Sequence, residues 1–114
     1  MNITGLSPTA EEATRRALLY WHEHWDFECP TLFGIEREDL LAVLSAWPSV
    51  ARGNEEHTSL AVVGAYRELL YGASAVAQGE VGATIGVSYE QACSLLEQLS
   101  VLLQAIRGCA ANDA

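Results

Sequence analysis

Lysine is absent from this 114-residue chain, and its six basic residues, all arginine, face fifteen Asp and Glu for a formal net charge of −9. Nucleic acid and anionic membranes are held through a positive field, so neither is expected as a partner. A basic protein fits the charge better. Cysteine is sparse too: Cys29, Cys93 and Cys109 are odd in number, widely spaced, and form no CxxC or zinc-finger pattern. That excludes a disulfide framework and implies three reduced thiols in a cytoplasmic protein. The first twenty residues lack both a basic start and a long apolar run, so no secretory signal is read there. Gly79, Gly82 and Gly86 have neither the spacing nor the preceding strand of a phosphate-binding loop, and no cofactor is implied.

Half of the residues are hydrophobic, which is a folding composition, and the length suits one domain with its own core. Ser7-Pro8 reads as a helix cap with proline at the first helical position. Ala10, Ala13, Ala17, Trp21 and Trp25 follow at steps of three and four, which predicts a helix over about 8–25. Glu11–Arg15 and Glu12–Arg16 are i,i+4 pairs on its outer side. Pro30 and Gly34 make 26–35 a loop. Leu40, Val43, Leu44 and Trp47 mark a second helix over about 36–47, stopped by Pro48.

A polar link leads to the most apolar stretch, a third helix over about 56–77. Arg67 and Glu68 at its centre argue for a buried central helix and against a membrane span. Its Ala61, Gly64, Ala65, Gly72 and Ala73 would let neighbours approach closely. Ser88 and Gln91 form a capping box that opens a fourth helix over about 89–106. Gly108 is the expected stop, with residues 108–114 as a frayed tail. The fold class is all-α, a compact bundle of four main helices in a single domain.

Eight acids (Glu11, Glu12, Glu36, Glu38, Asp39, Glu55, Glu56 and Glu90) fall at or near helix N-termini, where the macrodipole favours negative charge. Three of the others, Glu23, Asp26 and Glu28, crowd into the window Trp21–Pro30, beside Trp25 and Phe27. This coincidence of charge with aromatics is the strongest pointer to a site, and Glu23, Trp25, Asp26, Phe27 and Glu28 are the candidate partner-binding residues. In an extended backbone His22, His24, Asp26 and Glu28 would share one face and offer a metal-ligand set. On a helix His22 and His24 diverge by roughly 200° and cannot share an ion. The helical spacing upstream favours the second case, which leaves His22 and His24 as weak metal candidates and no metal expected.

Catalysis has no better footing, because Cys29-Pro30 carries no family signature and most carboxylates are explained by dipole placement. His57, beside Glu56, reads as a solvated loop residue. The stretch Val81–Ala92 resembles the turn of a helix-turn-helix unit, with Gly86 at the turn, Val81, Ile85 and Val87 inward, and Ser88 as cap. The helix that follows has two glutamates and no cation through Gln98, which is the wrong chemistry for DNA phosphates.

Interaction with protein remains. The fourth helix is apolar around much of its circumference, so either it is central or one side forms a homodimer through Leu95, Leu99 and Leu102. A small, acidic, lysine-free domain also resembles in character the bacterial immunity and antitoxin proteins that mask basic active sites with carboxylates and aromatics. The sequence-level expectation is therefore a non-enzymatic interaction module. The alternative is a metal- or small-ligand-binding domain using the same window.

Overall fold

Local capping chemistry sets the starts of three of the helices. We describe a computed structural model, which covers the backbone of residues 5–112 and the side chains of residues 5–108. Helix α1 (Pro8–Glu23) starts where Ser7 Oγ accepts the Ala10 amide at 3.1 Å. Helix α2 (Cys29–Phe33) is a single turn ended by Gly34 in the left-handed region, φ 76°. Helix α3 (Arg37–Ala46) opens on a reciprocal box between Glu36 and Asp39. Helix α4 (Glu55–Leu70) has Glu55 and Glu56 in its first turn. A 3-10 turn (Gln78–Glu80) leads into the short α5 (Val81–Ile85), and Gly86, φ 85°, redirects the chain into α6 (Tyr89–Asn112). The Ser88–Gln91 box is present in both directions, at 2.9 and 3.1 Å.

The chain is all-α; among the described residues no β-sheet forms, and no helix is long and apolar enough to cross a membrane. Four long helices carry the architecture, joined by two short ones, of which the first replaces a segment expected as a loop. Cys29-Pro30 begins α2 within 26–35 because proline at the first helical positions costs no hydrogen bond. The third expected helix stops at Leu70 and does not reach Ala77; there the Val76 amide folds back onto the Leu69 carbonyl at 3.0 Å. Gly108 does not stop the last helix. It avoids the left-handed region, and α6 runs on through Ala110 and Ala111, the best helix-forming residue type. The expectation of a frayed tail at 113–114 lies outside the described residues.

The central helix is α4, packed against α1, α2, α3 and α6. Ten of its residues are buried, among them Ala61, Gly64, Ala65, Tyr66 and Leu69. Two tryptophans lock the other helices around it through their indole N–H groups. Trp21 donates to the Ala65 carbonyl at 2.9 Å, and Trp47 donates to the Glu11 carbonyl at 2.9 Å. Arg15 donates to the Trp47 carbonyl at 3.0 Å and pairs loosely with Glu12, so the expected Glu11–Arg15 pair gives way to a tie between α1 and α3. The expected Glu12–Arg16 pair is present at 3.4 Å. Gly64 has a specific use: a Cβ there would lie 2.7 Å from the Phe33 ring, so only glycine lets α2 seat its phenyl group against α4.

One buried polar link crosses the core. Thr14 Oγ1 donates to the Ala10 carbonyl at 2.8 Å, which leaves it to accept the Tyr66 hydroxyl at 2.9 Å. Burial pushes the Tyr66 phenol up to about 12, with the Thr14 hydrogen bond acting the other way. The apolar residues of α6 divide: Ala92, Leu99 and Leu103 are buried, Leu95 and Leu102 are half-buried, and Val101 stands exposed. Leu99 therefore belongs to the chain's own core and is closed to any second copy. His57, expected in a loop, lies in the first turn of α4 with its Nδ1 3.6 Å from Asp39 Oδ1.

The acidic corner between the first two helices

The window between Trp21 and Pro30 folds as a corner. Helix α1 ends one residue before His24, whose amide and ring Nδ1–H both reach the Tyr20 carbonyl, at 2.9 and 2.8 Å. Its ring stacks on Tyr20 with centroids 4.1 Å apart. This is C-terminal capping by a side chain, favoured where the helix leaves carbonyls unpaired. The chain then turns through Asp26. One carboxylate oxygen of Asp26 accepts the Glu28 amide at 2.9 Å and lies 3.4 Å from Cys29 Sγ, while its carbonyl takes the Cys29 amide at 3.2 Å. A short acid side chain bonding the backbone two residues on is the usual way such turns are fixed.

From outside the window, Arg37 at the start of α3 donates to the His22 carbonyl at 2.8 Å, and Arg67 on α4 donates to the Leu32 carbonyl at 2.7 Å. These two arginines staple the corner to the body. Burial pushes the Cys29 thiol up, and Asp26 adds to the rise through its side chain while the Asp26 backbone contact opposes it. Such a thiol is held in its neutral, unreactive form.

The five candidate residues separate into two groups. Trp25 is half-buried, tilted against Phe33 with centroids 5.2 Å apart, and Asp26 is occupied by the turn. Both build the corner. Glu23 and Glu28 are exposed, and Phe27 at the tip is 89 % exposed, the most accessible large apolar side chain of the described residues. These three, with the free edge of the Asp26 carboxylate, make the outward surface.

The extended alternation that would gather His22, His24, Asp26 and Glu28 is not realised, because α1 carries His22 and ends before His24. Among the described residues no three His, Cys, Asp or Glu side chains stand close enough to hold a metal ion. The Val81–Ala92 segment has the expected internal geometry, with Val81, Ile85 and Val87 buried and Gly86 at the turn. Its leading helix, however, is only five residues long.

Sequence reasoning missed Arg37, Arg67 and the Phe33–Gly64 contact, although Gly64 among Ala61 and Ala65 had signalled a close approach. Only tertiary structure shows which ring fills it. No family model, curated protein or solved structure matches the chain.

Proposed function

We propose that the chain is a non-enzymatic, cytoplasmic protein–protein interaction module, an inhibitor of immunity or antitoxin type that masks a basic partner through the acidic corner. The observation carrying this reading is Phe27, 89 % exposed on a turn whose backbone is pinned by hydrogen bonds and whose neighbours are carboxylates. An exposed phenyl ring forgoes roughly 1.5–3 kcal/mol of burial, which a partner pocket would recover. Because the turn is already ordered, docking it costs little further entropy. Aromatic anchors ringed by charge are the usual composition of an interaction hot spot.

The occupant is a partner whose apolar pocket is rimmed by Arg or Lys, matching Phe27 and the carboxylates of Glu23, Asp26 and Glu28. With a net charge of −9, long-range attraction to such a surface would raise the association rate and weaken it with salt. The test is affinity capture by the tagged wild type and by Phe27→Ala and Glu23→Gln/Glu28→Gln variants, washed at low and high salt. A stoichiometric basic protein held by the wild type, lost from Phe27→Ala and released early from the double variant supports the reading. Equal capture by all three sinks it.

A further inference from the structure

A cleft of about 190 Å³ runs between α4 and α6, lined by Ser59, Leu60, Val63, Arg67, Ser100, Gln104 and Arg107. Two of the six arginines in this acidic chain line it. The helices are antiparallel at this point, since Arg107 near the end of α6 reaches Glu56 in the first turn of α4. Spacing along α4 then places Arg107 and Ser59 toward one end of the cleft and Arg67 toward the other, with Leu60 and Val63 between them.

The polar groups of this cleft are unevenly employed. Arg67 is committed, to Glu68 at 2.9 Å and to the Leu32 carbonyl. Arg107 is not: its only ion pair among the described residues is with Glu56 at 3.7 Å, beyond hydrogen-bond length, and the Glu56 side chain is 70 % exposed. Ser100 donates to the Leu96 carbonyl at 2.7 Å and keeps its acceptor lone pairs. Ser59 is the informative residue. It lines the cleft, and since no enclosed side-chain oxygen or nitrogen of the described residues lacks a partner, its hydroxyl, which bonds none of them, is open to solvent there. A solvent-accessible hydroxyl beside an under-used guanidinium is free to bond an acceptor from outside.

We propose that this cleft binds a small organic oxyanion, a carboxylate or phosphate ester with a short apolar body. The anionic group accepts hydrogen bonds from Arg107, the Ser59 hydroxyl and the Gln104 amide, and the apolar body rests on Leu60 and Val63. The guanidinium fork matches an oxyanion in geometry and strengthens each bond by its charge. Glu56 is then an internal competitor that holds Arg107 weakly until the ligand displaces it. Arg67 at the far end of the cleft also holds the Leu32 carbonyl beside the acidic corner, but Glu23, Asp26, Phe27 and Glu28 take no part in it.

The test uses the full chain and two probes, inorganic phosphate and hexanoate, followed by amide chemical-shift titration and by thermal shift. Saturable shifts centred on Ser59, Gln104 and Arg107, with hexanoate tighter than phosphate, are expected. Arg107→Gln should weaken binding about tenfold or more, the loss of one charge-assisted contact. Glu56→Gln should tighten it by freeing Arg107, a gain that a purely structural role would not produce. Ser59→Ala should weaken it without loss of fold, because it removes a hydroxyl that has no partner. Non-saturable shifts, shifts scattered over all six arginines, or binding unchanged in both Arg107→Gln and Glu56→Gln would overturn the assignment.

Discussion

Trp21 and Phe27 lie six positions apart and have opposite surroundings. Trp21 is 3 % exposed, packs edge-on against Tyr20 and Phe33, and has its indole N–H taken by the Ala65 carbonyl. Phe27 is 89 % exposed. Every feature of the first ring is accounted for by the fold. The second ring packs on little of the fold, yet the chain on either side of it is held by Asp26, which takes the Glu28 amide, and by Arg37, which reaches the His22 carbonyl. Composition alone treats the two rings as equivalent members of one aromatic cluster. Burial and hydrogen bonding separate a structural aromatic from one available to a partner, and they move Trp25, with one edge of the Asp26 carboxylate, to the structural side.

That contrast can be broken by substitution. Trp21→Ala should cost about 3–5 kcal/mol, the loss of a large core ring together with an indole hydrogen bond, read as a lower midpoint in urea. If it costs under 1 kcal/mol, the ring is not a core anchor. The next effect is one of pH. Tyr66 has its phenol raised to about 12 by burial, so its neutral form stabilises the fold fully below pH 10, and that contribution is lost as pH rises through the folded-state value. The stake is roughly 3 kcal/mol for a two-unit shift. Unfolding titrations between pH 9 and 12 should show a steep alkaline loss that Tyr66→Phe flattens.

Smaller again, Gly64→Ala should destabilise by about 1–2 kcal/mol, because a methyl group 2.7 Å from the Phe33 ring outweighs the helix-propensity gain. A stabilised Gly64→Ala protein would mean that α2 gives way at no cost. Smallest of all, Phe27→Ala should change stability by less than about 0.5 kcal/mol, as surface substitutions do. A core-sized loss there would erase the contrast.

Helix beginnings were largely legible because caps are local. Ser7 with Pro8, and Ser88 with Gln91, act over three residues and need nothing from the rest of the chain. Endings were less so. Apolar residues from Ala73 to Ala77 continue the helical pattern, and the halt at Leu70 depends on the chain folding back to pair Val76 with Leu69. The α2 turn was hidden because five residues hold too little periodicity to distinguish a turn of helix from a loop.

At the corner, the cluster itself could be read from residue types. The division of labour within it could not, since that requires knowing that Phe33 shelters Trp25 and that Arg37 reaches the His22 carbonyl from fifteen residues away. The α4–α6 cleft was illegible for a similar reason. Nothing marks Ser59 and Arg107 as partners until packing brings them to one groove.

Whether Phe27 serves a partner and not the fold is decided by measuring stability and capture on the same Phe27→Ala protein. The expected result is an unfolding curve superimposable on the wild type together with loss of a salt-sensitive basic partner that the wild type retains. A destabilised variant, identical capture by both proteins, or no protein held by either would contradict it.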